Sequence, residues 1–288
     1  MTMSSVTCHQ WRSLLFIPAN NEKFVDTAAT RDADAIILDL EDSIPFAHKA
    51  EARHTLPKYI ENLNKQNVSV LVRINYDIVN AVADLAAAVN PYTAAIIVPK
   101  VLGADHIVLL DNALSMLEAQ SNIAVGSIKV IALIETIAAM ESATAIAQSS
   151  PRVMGLALGT EDLSLDGGFD PSLENLMLPA QKLVYAARIA NINAYGFPAS
   201  IADYSDIKKF TTYQQRAKSM GFNGALCIHP QQVKPINDTY AVTDKEREQA
   251  KRIIAAYDKA VCSGLGVVEV DGQMVDTPVV ERARKILQ

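Results

Sequence analysis

The sequence predicts a (β/α)8 barrel of the TIM type, and three observations predict it. Eight short runs rich in Val, Ile, Leu and Ala recur along the chain. Their starts lie about 20 to 40 residues apart, room for one helix in each interval. The 288-residue length suits one α/β barrel of roughly 250 residues.

The first four runs are SLLFIPA from Ser13, AIILDLED from Ala35, SVLVRIN from Ser69 and AAIIVPK from Ala94. The other four are KVIALIET from Lys129, VMGLALGTED from Val153, INAYGFPAS from Ile192 and GALCIHP from Gly224. Each is too short for a typical helix and is bounded by polar, Pro or Gly punctuation, as buried parallel strands are. The intervals read as helices. Residues 79–89 are Ala-rich with no Pro or Gly. Residues 103–120 space Ile107, Leu110, Leu114 and Leu117 along one helical face. Residues 178–191 carry Leu178, Val184 and Ala187, with Pro179 expected in the first turn. The alternative is an open doubly wound sheet, but no GxGxxG follows the first strand.

The barrel is expected over residues 1–242, with a helix–hairpin–helix extension over 243–288. Thr243 with Glu246 three residues on is a capping box opening a helix over 243–263. VVEV and QMV flank Asp271-Gly272, a two-residue hairpin turn. A last helix over 278–287 opens on Pro278. The extension is too small to bury a core of its own. It either covers the barrel as a ninth helix or docks on a neighbouring subunit.

Half the residues are apolar and 20% are charged, enough for a large core and against disorder. A formal charge of −6 argues against a basic nucleic-acid surface, though not against a small anionic substrate. The apolar runs fall well short of the ~20 residues that span a bilayer. The first residues lack the basic, then apolar, pattern of a secretory signal. Cys8, Cys227 and Cys262 are in no CxxC or CxH pattern, so neither a disulfide framework nor a zinc site is expected. A cytoplasmic enzyme with neither nucleic-acid nor membrane partners is the expectation.

Charges stand at the C-terminal ends of the predicted strands. Asp39, Glu41 and Asp42 close the second; Arg73 and Asn75 close the third. Lys100 closes the fourth, Glu135 the fifth, Glu161 and Asp162 the sixth, and His229 the eighth. In a barrel these ends meet at the face that holds the active site. A salt-bridge network plugging the mouth is the competing reading, since buried unpaired charge costs several kcal/mol. Glu135 and Asp162, on adjacent strands, suit Mg²⁺ with substrate and water completing the ligands. The alternative for Glu135 is a salt bridge to Lys100. Arg73 suits a substrate carboxylate, gripped by its planar fork; it also suits a pairing with Asp39 or Asp42. His229, before Pro230, is a catalyst or a structural hydrogen-bonding group. Cys227 is expected in the core.

Seven motifs occur in order: Arg12-Ser13-x-Leu15-Phe16-x-Pro18, Asp39-Leu40-Glu41-Asp42, Arg73-Ile74-Asn75, Pro99-Lys100, Leu133-Ile134-Glu135-Thr136, Gly159-x-Glu161-Asp162-Leu163 and Cys227-Ile228-His229-Pro230. In these the chain resembles the citrate lyase β-subunit-like family, which includes malyl-CoA and citramalyl-CoA lyases. The resemblance runs from Trp11 to Ile286. It implies a (β/α)8 barrel and a Mg²⁺-dependent, reversible Claisen-type cleavage of a carboxylated 3-hydroxyacyl thioester. The products would be an acetyl thioester and a 2-oxo acid.

The resemblance also implies roles. The metal (Mg²⁺, with Mn²⁺ as an alternative) falls on Glu135 and Asp162, and the carboxylate-binding arginine on Arg73. An aspartate of the C-terminal segment, reaching a neighbouring subunit's site, falls on Asp276, which otherwise reads as a carboxylate at a helix N-terminus. A mobile carboxylate there would move the proton to or from the thioester carbon. Arg12 and Lys23 are expected to meet the CoA phosphates; ordinary surface charge is the alternative. A homo-oligomer, a trimer, is implied.

Two stretches depart from the family pattern. Gly221-Phe222-Asn223-Gly224-Ala225 replaces GFxGK, and Ala199-Ser200-Ile201-Ala202-Asp203-Tyr204 replaces an AID-like motif. Both are expected near the mouth, where they bear on the acyl group. Three readings compete with a stand-alone lyase: the citryl-thioester lyase subunit of a citrate lyase complex, a thioesterase, and a non-catalytic acyl-CoA-binding barrel.

Overall fold

A computed structural model of the chain describes residues 11–287. Cys8 lies outside the described residues. All eight strands form: β1 (Ser13–Pro18), β2 (Ala35–Asp39), β3 (Ser69–Arg73), β4 (Thr93–Val98), β5 (Lys129–Ile134), β6 (Val153–Leu158), β7 (Asn193–Tyr195) and β8 (Ala225–Cys227). Each pairs in parallel with its sequence neighbour from β1 to β7, and β1 also pairs with β8. A bridge between Tyr195 and Gly224 brings β7 to β8, and the Gly196 N–H donates to the Gly224 carbonyl at 2.9 Å. The sheet is thus a nearly closed barrel ringed by helices.

Strand periodicity sorts the core into two layers. Leu14, Ile37, Leu71, Ile97, Ile131 and Leu226 point into the barrel, where Trp11 and Tyr195 join them. Their strand neighbours Leu15, Ile36, Val70, Ile96, Val130 and Cys227 point outward against the helices. Gly155 is required where the Tyr195 ring crosses the interior: a Cβ there would lie 2.9 Å from Cε2.

The helices over Ile78–Ala88 and Ala104–Gln120 match the predicted ones within a residue. The helix expected from residue 178 starts earlier, at Leu173, so Pro179 lies in its interior and not in its first turn. Ser172 caps the true start, accepting from the Asn175 N–H. A buried face of Leu176, Ala180, Leu183, Val184 and Ala187 outweighs the ~3 kcal/mol that an interior proline costs.

At the N-terminal side of the sheet, buried Arg152 donates to Glu118 at 2.6 and 2.9 Å and to Asp111. It pins the helix over Ala104–Gln120 to the start of β6. Arg152 is predominantly enclosed, so this paired charge is structural.

The chain divides into two compact units, one through Tyr240 and one from Ala241. In the second, Thr243 and Glu246 form the predicted capping box of the helix Asp244–Cys262. β9 (Val268–Val270) and β10 (Gln273–Val275) are antiparallel. Their turn residues Asp271 and Gly272 both have positive φ (52° and 77°), the primed-turn geometry that the Asp-Gly pair favours. The helix Thr277–Leu287 follows. Arg284 pairs with Asp258 at 3.0 Å, and Tyr257 with the Thr277 hydroxyl at 2.8 Å, joining the two helices.

Candidate active site

The inward parity of the strands continues past their last interior apolar residue. Two residues after Ile37 comes Asp39, after Leu71 comes Arg73, and after Leu133 comes Glu135. All three line one cavity of about 450 Å³ at the C-terminal mouth, together with Asp42, Gly159, Glu161 and Asp162. The same parity carries Tyr195 to Phe197 and Leu226 to Ile228, which line that cavity too.

Arg73 spans the charged side. Its Nε and Nη2 donate to the two oxygens of Asp39, both at 2.7 Å. Nη1 lies 3.2 Å from Glu41 Oε2 and 3.5 Å from Asp42 Oδ2. Its guanidinium stacks 4.6 Å from the Phe16 ring centroid. Burial pushes the Asp39 carboxyl up, but the Arg73 hydrogen bonds and charge outweigh it, and the pKa ends below its ordinary value. Asp39 also accepts from the Glu41 and Ser43 N–H groups, which fixes the turn after β2. The pairing of Arg73 with Asp39 and Asp42 is therefore present, and Arg73 still faces the cavity.

Lys100 holds the next position. Its backbone is left-handed (φ 45°), a conformation that costs a side chain of this kind about 1–2 kcal/mol. Its own N–H reaches Glu135 Oε1 at 2.5 Å. Its ammonium goes elsewhere, 3.0 Å from Glu41 Oε1 and 3.9 Å from Asp162 Oδ1. The salt bridge weighed for Glu135 and Lys100 is thus a backbone contact. Burial pushes Glu135 up to about 8; Glu41 and Asp162 add to the rise and the Lys100 N–H opposes it. Burial likewise raises Glu41, against Arg73 and Lys100. Glu41 Oε2 makes no hydrogen bond in spite of its ion pair.

Gly159 is required beside Glu135. A Cβ there would lie 2.6 Å from both the Cβ and Oε2 of Glu135. The spacing after β6 then puts Glu161 and Asp162 into the first turn of the helix Thr160–Gly167. Glu161 accepts from the Ser200 hydroxyl at 2.6 Å.

Six acidic side chains (Asp39, Glu41, Asp42, Glu135, Glu161, Asp162) thus stand at the mouth with two cations, Arg73 and Lys100. The excess of negative charge leaves room for a further cation. Glu135 and Asp162 offer hard oxygen donors, the Lys100 N–H bond engages only Oε1 of Glu135, and a divalent ion would offset the excess charge. The residues present fit Mg²⁺ with water or substrate filling the remaining positions. Among the described residues no three His, Cys, Asp or Glu side chains are grouped to hold a metal.

Other expected site residues fall elsewhere. Arg12 precedes β1, at the N-terminal mouth, and donates to Asp34 through its backbone N–H, Nε and Nη2 at 2.7–2.8 Å. It stands at the wrong end of the barrel to meet CoA phosphates. Ala225, expected near the mouth, begins β8 and is buried at that same far end. Lys23 lies in the short exposed helix Glu22–Asp26 just after β1, on the mouth side. His229 caps the turn after β8: its Nδ1 accepts from the Gln231 N–H at 3.2 Å. Its ring stacks on Tyr204 at 4.5 Å. That geometry is structural. Cys227 is buried, as expected. Asp276, in the second unit, accepts from the Val279 N–H at 3.3 Å and so caps the last helix. Sequence reasoning quoted Gly159 in a motif and expected residues 199–204 near the mouth, but named none of Gly159, Ser200 and Ile201 as a site residue. The strand parity was the signal available for the first; for the other two, it was the departure from the family pattern over residues 199–204.

The family model described as HpcH/HpaI aldolase/citrate lyase matches residues 12–230. Citrate lyase subunit beta of Leuconostoc mesenteroides is 32% identical over 280 residues, covering 96% of this chain and 92% of the relative. A (3S)-malyl-CoA thioesterase of Cereibacter sphaeroides is 31% identical over 285 residues, covering 97% and 94%. The crystal structure of CitE from Mycobacterium tuberculosis with magnesium, acetoacetate and coenzyme A superimposes with a TM-score of 0.76 at 27% identity, covering 96% of this chain and 97% of that one.

Proposed function

This chain belongs to the HpcH/HpaI aldolase/citrate lyase family, and we propose that it is a Mg²⁺-dependent carbon–carbon lyase acting on a carboxylated 3-hydroxyacyl-CoA. A malyl-CoA-like or citramalyl-CoA-like thioester would be cleaved, reversibly, to acetyl-CoA and a 2-oxo acid. The observation that carries this reading is the convergence of Arg73, Glu135 and Asp162 on one cavity at the C-terminal mouth. The magnesium and coenzyme A in the CitE complex support it.

In cleavage the 3-hydroxyl gives up its proton, and the bond from the carbinol carbon to the thioester α-carbon breaks. The bonding pair moves onto the thioester as an enolate, and the α-carbon then takes up a proton. Glu135 and Asp162 would hold Mg²⁺, which supplies Lewis-acid polarisation of the oxygen becoming the ketone. Arg73, fixed by Asp39, would orient the substrate carboxylate through its remaining Nη1 edge. Asp276 of a neighbouring subunit in a homotrimer would transfer the α-carbon proton. Lys23 would meet the CoA phosphates. A cytoplasmic setting follows from the expected substrates; among the described residues no helix is long and apolar enough to cross a membrane.

A second reading, hydrolysis of the thioester, is favoured by the malyl-CoA thioesterase relative. A third, a citryl-thioester lyase subunit, is favoured by the citrate lyase relatives. One experiment separates them: malyl-CoA, citramalyl-CoA and citryl-CoA are incubated with and without Mg²⁺, and products are identified. Acetyl-CoA with a 2-oxo acid, abolished by chelation, is the expected result. Free CoA with an intact hydroxy acid would establish the thioesterase. Silence with every substrate would count against the lyase.

A further inference from the structure

The mouth of the barrel is divided. On one side, the ends of β2, β3, β5 and β6 supply the charges Asp39, Asp42, Arg73, Glu135, Glu161 and Asp162. The remaining arc, β7, β8 and β1, supplies only apolar groups to the same cavity: Phe197, Ile201, Ile228, Phe16 and Pro18. Phe197 is buried, while Ile201 is partly covered and Ile228 is 42% exposed. The arc is rigidly built. Gln232 accepts from the Ile228 and His229 N–H groups and donates to the Ile201 carbonyl, at 2.9–3.2 Å. Ser200 is anchored on Glu161. Ile201 thus stands where the family pattern has its AID-like stretch.

We infer that this arc selects the fourth substituent of the carbinol carbon, and that the substrate carries a plain alkyl group there rather than hydrogen or a carboxymethyl group. The inference rests on the lyase reading. The carbinol carbon bears four groups. Its carboxylate and oxygen belong on the charged arc, and the thioester arm must leave through the open mouth. The fourth group is left against Phe197, Ile201 and Ile228. Among the described residues lining the cavity, Arg73 is the only cation, and it is already engaged. A second carboxylate, as in a citryl thioester, would be desolvated against isoleucine with no partner. A hydrogen, as in a malyl thioester, would leave the wall uncovered. A methyl or ethyl group fills it, at about tenfold or more in selectivity for each carbon. The 2-oxo acid released would then be of the pyruvate type.

The test is calorimetric binding of glyoxylate, pyruvate, 2-oxobutyrate and oxaloacetate to the full chain with Mg²⁺. Pyruvate or 2-oxobutyrate is expected to bind at least about tenfold more tightly than glyoxylate and oxaloacetate. Ile201→Thr should shrink the pyruvate-to-glyoxylate ratio. Ile228→Arg, at an exposed position, should bring oxaloacetate up relative to pyruvate; circular dichroism checks that both variants fold. Tightest binding of oxaloacetate or glyoxylate by the wild type, with the other acids also bound, would overturn the inference and leave the lyase reading standing. Unchanged ratios in both folded variants would also overturn it. Binding of none of the acids would remove the lyase reading and the inference together.

Discussion

Arg73 lies flat on Asp39, with two parallel hydrogen bonds of 2.7 Å, and only 13% of the arginine side chain is exposed. This bidentate pair at the ends of β2 and β3 is what aims the third nitrogen, Nη1, along the charged wall. Asp42 touches the same nitrogen at 3.5 Å but is 59% exposed. The two aspartates are therefore unequal.

Asp39→Ala leaves a buried guanidinium short of its main partner and two backbone N–H groups without an acceptor. It is expected to cost about 3–5 kcal/mol in urea unfolding. Asp42→Ala should cost at most about 1 kcal/mol. Equal effects would show that the site's order does not depend on the bidentate contact.

Gly159→Ala forces a methyl into the space of the Glu135 carboxylate. A displacement of this order is expected to lower Mg²⁺-dependent turnover by about a hundredfold. It should also abolish the rise in Tm on adding Mg²⁺, while circular dichroism stays native. Glu135→Ala and Asp162→Ala should give the same pattern. Unfolding of all three variants would instead support the salt-bridge-network reading of the mouth.

Burial pushes the Glu118 and Asp111 carboxyls up, but hydrogen bonds (from Arg152 first for Glu118, from Ser150 and then Arg152 for Asp111) outweigh it and hold both below their ordinary values of 4.5 and 3.8. Folded carboxyls with depressed pKa contribute stability that is complete above the ordinary values and lost as pH falls through the folded ones. Stability is expected to decline from about pH 4.5 downward. Glu118→Gln, which removes one buried charge of the network, should cost about 3–5 kcal/mol at pH 7 and flatten that acid limb. An unaltered limb would place the acid sensitivity elsewhere.

If Asp276 acts in a neighbouring subunit, mixing Asp276→Asn with Arg73→Ala protomers should restore part of the activity that each lacks alone. One site in the mixed oligomer would then hold both intact groups. A mixture as inactive as its components would leave Asp276 with the helix-capping role seen in its bond to Val279.

The sequence by itself determined the barrel, because strand and helix periods are local and recurred eight times. It also determined which residues enter the mouth: inward parity runs from Ile37 to Asp39, from Leu71 to Arg73 and from Leu133 to Glu135 without any long-range information. The Asp271-Gly272 turn and the Thr243 capping box were legible for the same reason. The tertiary structure decided what the parity leaves open. Arg12 opens the first motif in the chain, yet a strand has two ends, and Arg12 pairs with Asp34 at the far one. Pro179 looked like a helix start because local preference favours that site; the buried face this helix packs against β6, β7 and the neighbouring helix overrode it. Lys100 met Glu135 through its backbone and Glu41 through its side chain, a choice set by a left-handed residue that composition does not reveal. The division of the mouth into charged and apolar arcs depends on closing β8 against β1. That brings residues more than two hundred apart to one cavity, and no window of sequence contains both.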